Sequence, residues 1–242
     1  GEHRTEIDIL SEALRFRIAG NADKLLVAET QLQLGSCYHA LGDPTKAITS
    51  YGDALQLTID VHGANSIGLS KILYHMGVLY CEQIQYDPAL ECFVRALKIS
   101  ESQGQEFQQC EDMTKIYSWI GNVHRERGDS DLALSYFEKA LQTMRALSDK
   151  ECLETAEILQ NIGIVFDDLG KDEKSLRALY NCLEIRRKLL HSDFHHDICE
   201  TIGCIANVYR KTDIDKALRL FRIVLNAKAK KTDDKETDEG LL

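Results

Sequence analysis

Apolar residues recur along this chain at helical spacing, and the stretches that carry them close on glycine or aspartate. Ile7, Leu10, Leu14 and Ile18 form one stripe, which predicts a helix over 5–19. After it comes an order of residue types that repeats. Leu34-Gly35 is followed by Tyr38, Ala47, Tyr51 and Ala54; Met76-Gly77 by Tyr80, Ala89, Phe93 and Ala96; Ile120-Gly121 by His124, Ala133, Phe137 and Ala140. Weaker copies read Ile162-Gly163, Phe166, Ser175, Leu179, Cys182 and Ile205-Ala206, Tyr209, Ala217, Phe221, Val224, the last one residue short in its turn. The column at 47, 89, 133, 175 and 217 advances by 42, 44, 42 and 42 residues, so the chain is an internal repeat.

Each copy is expected to be a helix pair. A half repeat over about 5–20 precedes full repeats over about 24–63, 65–105, 108–148, 151–192 and 196–229. No strand is expected. Asp43-Pro44 and Asp87-Pro88 read as an N-cap followed by proline at the first helical position, and Asp129, Asp172 and Asp213 stand at the later turns. Residues 230–242 are polar and aperiodic, and they are expected to be a disordered tail. Glycine within a helix costs about 1 kcal/mol against alanine, so its recurrence predicts a close approach by another backbone. Ala47, Ala89 and Ala133, twelve residues on, are expected to face Gly35, Gly77 and Gly121, with the aromatic filling the space beyond.

This order of small, aromatic, alanine, aromatic and alanine residues resembles the tetratricopeptide repeat, usually about 34 residues long. The longer period here resembles the repeats of kinesin light chains, most closely from Cys182-Leu183-Glu184-Ile185-Arg186-Arg187-Lys188 through Asp193, His195 and Asp197 to Asn207-Val208-Tyr209. The resemblance implies an all-α, α–α superhelix: a solenoid of about five helix pairs plus one orphan N-terminal helix. It also implies an interaction protein, with first helices lining a concave wall. The heptad region through which kinesin light chains bind the motor is not in this sequence, so motor binding does not carry over.

Composition narrows the partners. The net charge of −10 argues against a nucleic-acid binder, which needs a basic face, and no apolar run is long enough for a membrane-spanning helix. The 8 cysteines show no paired spacing and several fall beside core positions, which favours free thiols in the cytoplasm or another reducing compartment. The start at Gly1, with an unpaired first helix, reads as a segment of a longer protein.

Catalysis finds little foothold. There is no phosphate-cradling glycine loop or nucleophile elbow, and no cofactor is expected. His191, His195, His196 and Cys199 are the densest ligand-type cluster, yet zinc needs a second ligand pair that is not at hand, so an inter-repeat turn is expected instead of a metal site. Arg127-Gly128-Asp129 is explained by the turn it occupies. Adjacent carboxylates at Asp167-Asp168 diverge on a helix and read as solvated.

Counting from the small-residue column places Lys71, Tyr74 and His75, then Lys115, Trp119, Asn122 and Arg125, and finally Asn161 and Asn207, on the concave wall. Trp119 is the candidate anchor for a partner peptide; the alternative is that it packs against Tyr74 or His75 between repeats. Lys71, Lys115 and Arg125 would steer acidic residues, and the asparagines would hold an extended backbone. Some tetratricopeptide proteins clamp the C-terminal carboxylate of heat-shock chaperones with two asparagines and three basic residues. Here Ser118, Glu200 and Cys204 stand at the basic places, so that clamp is not expected. Some kinesin light chains accept acidic, tryptophan-containing peptides. Lys71, Lys115 and Arg125 suit such a ligand, whereas Glu157, Asp167, Asp168 and Glu200 oppose it. The expectation is a non-enzymatic adaptor binding a partner peptide in its groove, or else a scaffold subunit of a larger assembly using its convex surface and ends.

Overall fold

A computed structural model of the chain describes residues 2–102, 111–147, 151–191 and 195–239. Among them are eleven helices and no strand. In chain order these are α1 (Glu2–Ala19), α2 (Lys24–Ala40), α3 (Pro44–His62), α4 (Gly68–Glu82), α5 (Tyr86–Ser102) and α6 (Glu111–Glu126). Then come α7 (Ser130–Leu147), α8 (Leu153–Asp168), α9 (Asp172–Leu190), α10 (His196–Tyr209) and α11 (Ile214–Glu239). One orphan helix followed by five pairs is the predicted order.

The chain divides into two compact units, residues 1–123 and 124–242. In the first, α1 packs on α2, α2 on α3, α3 on α4 and α4 on α5, while the first helices α2 and α4 also meet. Its core includes Ala47, Tyr51, Ala54, Ile72 and Leu79. In the second unit α7 packs on α8, α8 on α9, α9 on α10 and α10 on α11. There Leu179 and Leu183 meet Ile198, Ile202, Ile205 and Val208.

The glycines make their nearest approach to the aromatic column. A Cβ at Gly77 would lie 2.6 Å from Cε1 of Phe93, and one at Gly163 would lie 2.7 Å from Cγ of Leu179. At Gly35 it would strike the ring of Tyr51. In each case the intruder sits sixteen residues on, in the aromatic column, not twelve on in the alanine column. At Gly163 the alanine column comes near as well, through the Ser175 carbonyl at 3.4 Å. The glycine admits a ring edge or a leucine tip, and the alanine lies in the core beside it.

The turns depart from the expected chemistry at α5, at Ile84 and at α9, where Lys171 is the N-cap without a side-chain bond and Asp172 is the first helical residue. Asp43 Oδ1 accepts from Lys46 N at 3.2 Å, and Asp213 Oδ1 from Lys216 N at 2.9 Å, as N-caps do. Helix α5 starts earlier than the Asp87-Pro88 cap predicts. Ala89 N already donates to the Gln85 carbonyl, which puts Asp87 inside the first turn, where its charge favours the helix N-terminus. Ile84 is a further departure. Gly42, Gly128 and Gly170 take φ of +74°, +83° and +66° at the turn between paired helices, and the period puts Ile84 at the same place with φ +60°. A β-branched residue in this left-handed region carries a penalty of about 1–2 kcal/mol. The side chain is 73% exposed and recovers little by packing. Ile84→Gly should therefore raise the unfolding free energy by about 1 kcal/mol, read from urea denaturation.

At the C-terminal end, α11 is helical to Glu239. No glycine or proline interrupts residues 214–239, so nothing local ends the helix before Gly240.

Candidate functional site

The first helices of the first unit carry a concavity. An open cleft of about 830 Å³ lies between α2 and α4. Glu29, Leu32, Gln33 and Ser36 line it from α2, and Lys71, Ile72 and His75 from α4. Buried Ala28, Cys37 and Ile72 contribute apolar lining, and His62, with His3 and Glu6 of α1, adds polar groups. A second hollow of about 320 Å³ is lined by Ser70, Lys71, Tyr74, His75, Asp112, Lys115 and Ile116. Lys71 and His75 border both, so one turn of α4 forms the ridge between two adjoining depressions.

Behind that ridge runs a ladder of rings that the repeat pattern did not announce. His75 stacks on Tyr51 at 5.8 Å and 20°, and its neighbour Tyr74 meets His75 edge-on at 5.3 Å. Tyr74 then tilts against Phe93 at 6.3 Å, and Phe93 stacks on Trp119 at 6.3 Å and 17°. Trp119 is partly buried, and its Nε1 donates to Tyr74 Oη at 3.2 Å. The indole N–H is thus spent inside the unit, in the packed arrangement with Tyr74 that was the alternative to a free anchor. Only the exposed part of the ring remains for a ligand.

Burial holds His75 below its usual pKa, and the positive charges of Lys71 and His39 act the same way, with Asp112 opposing them. It is therefore neutral at pH 7. The unfolded chain takes up a proton near pH 6.5, while the folded chain does so only at lower pH, so folding weakens as pH falls through that value. Urea unfolding at pH 7.5 and 5.5 should show this loss, and His75→Gln should reduce it.

The remaining sequence candidates are more scattered. Lys71, Tyr74, His75, Lys115 and Trp119 come together in the first unit. Asn122 lies further along α6, with a buried Oδ1 that has no hydrogen-bond partner among the described residues. Arg125 belongs to the second unit and is engaged by Glu126 at 2.7 Å. Asn161 on α8 is partly buried, Asn207 on α10 is exposed, and Asp167 is held by Lys211 at 2.7 Å.

Chemistry of other kinds finds no better place. His195 Nδ1 accepts from Asp197 N at 3.3 Å and caps α10, and no group of three or more metal-type side chains gathers among the described residues. Cys37, Cys81, Cys92 and Cys204 have thiols pushed up to about 11, 12, 11 and 11 by burial, which leaves them poor nucleophiles. Seven cysteines are free; Cys110 lies outside the described residues. No described helix is long and apolar enough to cross a membrane.

Sequence reasoning missed Arg186. It is buried on α9, and its Nη1 lies 2.5 Å from Gln160 Oε1 on α8, 2.6 Å from Thr201 Oγ1 and 2.8 Å from the Asp197 carbonyl on α10. Its position four residues after Cys182, in the alanine column, was the available signal.

The family model for the tetratricopeptide repeat matches residues 26–102 and 112–188. Among curated proteins, the 43 kDa receptor-associated protein of the synapse from Tetronarce californica is 27% identical over 221 residues, covering 88% of this chain and 50% of that protein. Photosystem I assembly protein Ycf3 from Cuscuta gronovii is 27% identical over 101 residues, 42% of this chain and 55% of that one. The chain spans about half the length of these relatives. Among solved structures, BtubC (BKLC) from P. vanneervenii superposes with a TM-score of 0.77 at 19% identity, covering 96% of this chain and 93% of its own. The Rap conjugation gene regulator of plasmid pLS20, in complex with the Phr* peptide, has a TM-score of 0.66 at 20% identity, covering 89% and 56%. A putative kinesin light chain from Podosopora anserina, built of nearly identical TPR-like repeats, scores 0.68 at 13% identity over 84% and 95%. At these identities the likeness is one of fold.

Proposed function

Given that the chain belongs to the tetratricopeptide repeat family, we propose that it is a non-enzymatic adaptor that holds a peptide segment of another protein on the first-helix face of residues 1–123. The observation carrying this reading is the cleft between α2 and α4, lined by the inward positions of two successive repeats. An apolar side chain fits beside Leu32 and Ile72. Lys71 and Lys115 bring positive charge to the adjoining hollow, and neutral His75 can either donate or accept a hydrogen bond at the ridge. A structure of the same fold in complex with a peptide, and relatives named for receptor association and for assembly, support the reading.

The test is selection of binders from a random peptide library, followed by titration against the wild type, Lys71→Glu and His75→Ala. Lys71 is exposed, so its reversal leaves the fold intact. Selected peptides should lose about tenfold in affinity on Lys71→Glu, about 1.4 kcal/mol. Equal binding to both variants and the wild type would remove the site.

A further inference from the structure

Two opposite charges line the cleft between α2 and α4 without meeting. Glu29 and Lys71 stand six residues before Gly35 and Gly77, so they hold the same place on successive first helices. Both are exposed, and both border the cleft. Among the described residues neither has an ion-pair or hydrogen-bond partner. The same two helices are bridged further along, where His39 Nε2 and Glu82 Oε2 are 2.6 Å apart. Such a bridge can thus span α2 and α4, yet none forms at Glu29 and Lys71. The aliphatic side chains of buried Ala28 and Ile72 and half-buried Leu32 line the same cleft. Glu6 of α1, which packs on α2, adds a second carboxylate. Lys115 takes the corresponding place on α6, with Asp112 beside it in the adjoining hollow.

We propose that this cleft selects a dipolar segment of another protein: an extended stretch with a basic and an acidic residue about three positions apart and an aliphatic residue between them. The basic side chain pairs with Glu29, the aliphatic one lies against Leu32 and Ile72, and the acidic one pairs with Lys71. This rests on the peptide-binding reading of the cleft and adds which peptides it takes. The spacing follows from the helices. Packed helices lie about 8–10 Å apart, and an extended chain advances about 3.3 Å per residue. The charge order follows from repulsion as much as from attraction. A uniformly acidic segment would lay like charge against Glu29 and Glu6, and a uniformly basic one against Lys71. One charge of each sign meets neither penalty and supplies a partner to both side chains. Because both sit at the exposed rim, they govern selection more than affinity.

The probe is a random peptide library displayed on phage and selected on the whole chain. Selected sequences should carry a lysine or arginine and an aspartate or glutamate around a leucine, isoleucine or valine. One such peptide is labelled with fluorescein and titrated by anisotropy. Two relatives, with glutamine in place of its basic or its acidic residue, are titrated beside it. Glu29→Gln should weaken the parent peptide about threefold and leave unchanged the relative without the basic residue. Lys71→Gln should act in the same way through the acidic residue. Both side chains are exposed, and unaltered circular dichroism checks that the variants fold. Peptides that bind but carry charge of one sign, or that are indifferent to Glu29→Gln, overturn the proposal and leave the cleft as a peptide site. If no peptide is selected, the proposal and the peptide-binding reading fall together. A concentration-dependent dimer in sedimentation that Glu29→Lys abolishes also overturns the proposal, since the occupant is then a second copy.

Discussion

Arg186→Ala is expected to lower the unfolding free energy by about 3 kcal/mol, among the largest effects of any single truncation in residues 124–242. The guanidinium lies between three helices, and hydrogen bonds from a charged donor are the strong kind. Removing it leaves Gln160 Oε1 with the Thr201 hydroxyl at 3.1 Å, a single neutral donor in place of a charged one. It also leaves a cavity where a long side chain lay. Arg186→Met keeps most of the volume and loses only the polar part, so it should cost roughly half as much. The triple variant Arg186→Met, Gln160→Leu, Thr201→Val should recover to within about 1 kcal/mol of the wild type, because no buried polar group is then stranded. Because helix-pair arrays unfold in stages, urea unfolding is best paired with amide exchange resolved to α8, α9 and α10. If the triple variant is no more stable than Arg186→Ala, the network is not what holds these helices.

Gly77→Ala should cost about 2 kcal/mol, although alanine is the better helix former by about 1 kcal/mol. The new methyl would meet Cε1, Cζ and Cδ1 of Phe93 at 2.6, 2.8 and 2.9 Å. That ring has no exposed surface and cannot step aside, since Trp119 stacks on it and Tyr74 leans against it. Strain at one glycine therefore passes to the ridge beside the cleft, and Trp119 fluorescence should shift as well. Phe93→Leu alone should destabilise, but combined with Gly77→Ala it should recover part of the loss, with a coupling of about 1 kcal/mol. Additive single effects would show that the glycine is not there for the ring.

Most of the architecture could be read from the chain. The small-residue and alanine columns located each helix pair, and the turn aspartates located the starts of most second helices. Ile84 broke the turn rule because a local preference yields to the geometry its neighbours impose. Arg186 and Arg187 look alike in sequence. The alanine column puts Arg186 on the core stripe, but only the packing of α8 and α10 shows what receives its charge. Of the positions counted from the small-residue column, Lys71 and His75 line the cleft between α2 and α4. The sequence could not tell that Trp119 would spend its N–H on Tyr74, since that depends on how closely neighbouring repeats approach.

What the sequence alone determined was the period, the helix pairs and hence the repeat family, because a stripe at 3.6 residues per turn is a property of each segment taken singly. What only the tertiary structure decided was which atoms meet across helices: glycine with ring edge, and arginine with threonine and glutamine. Such meetings depend on how far one helix slides and rotates against the next, and no single segment carries that information.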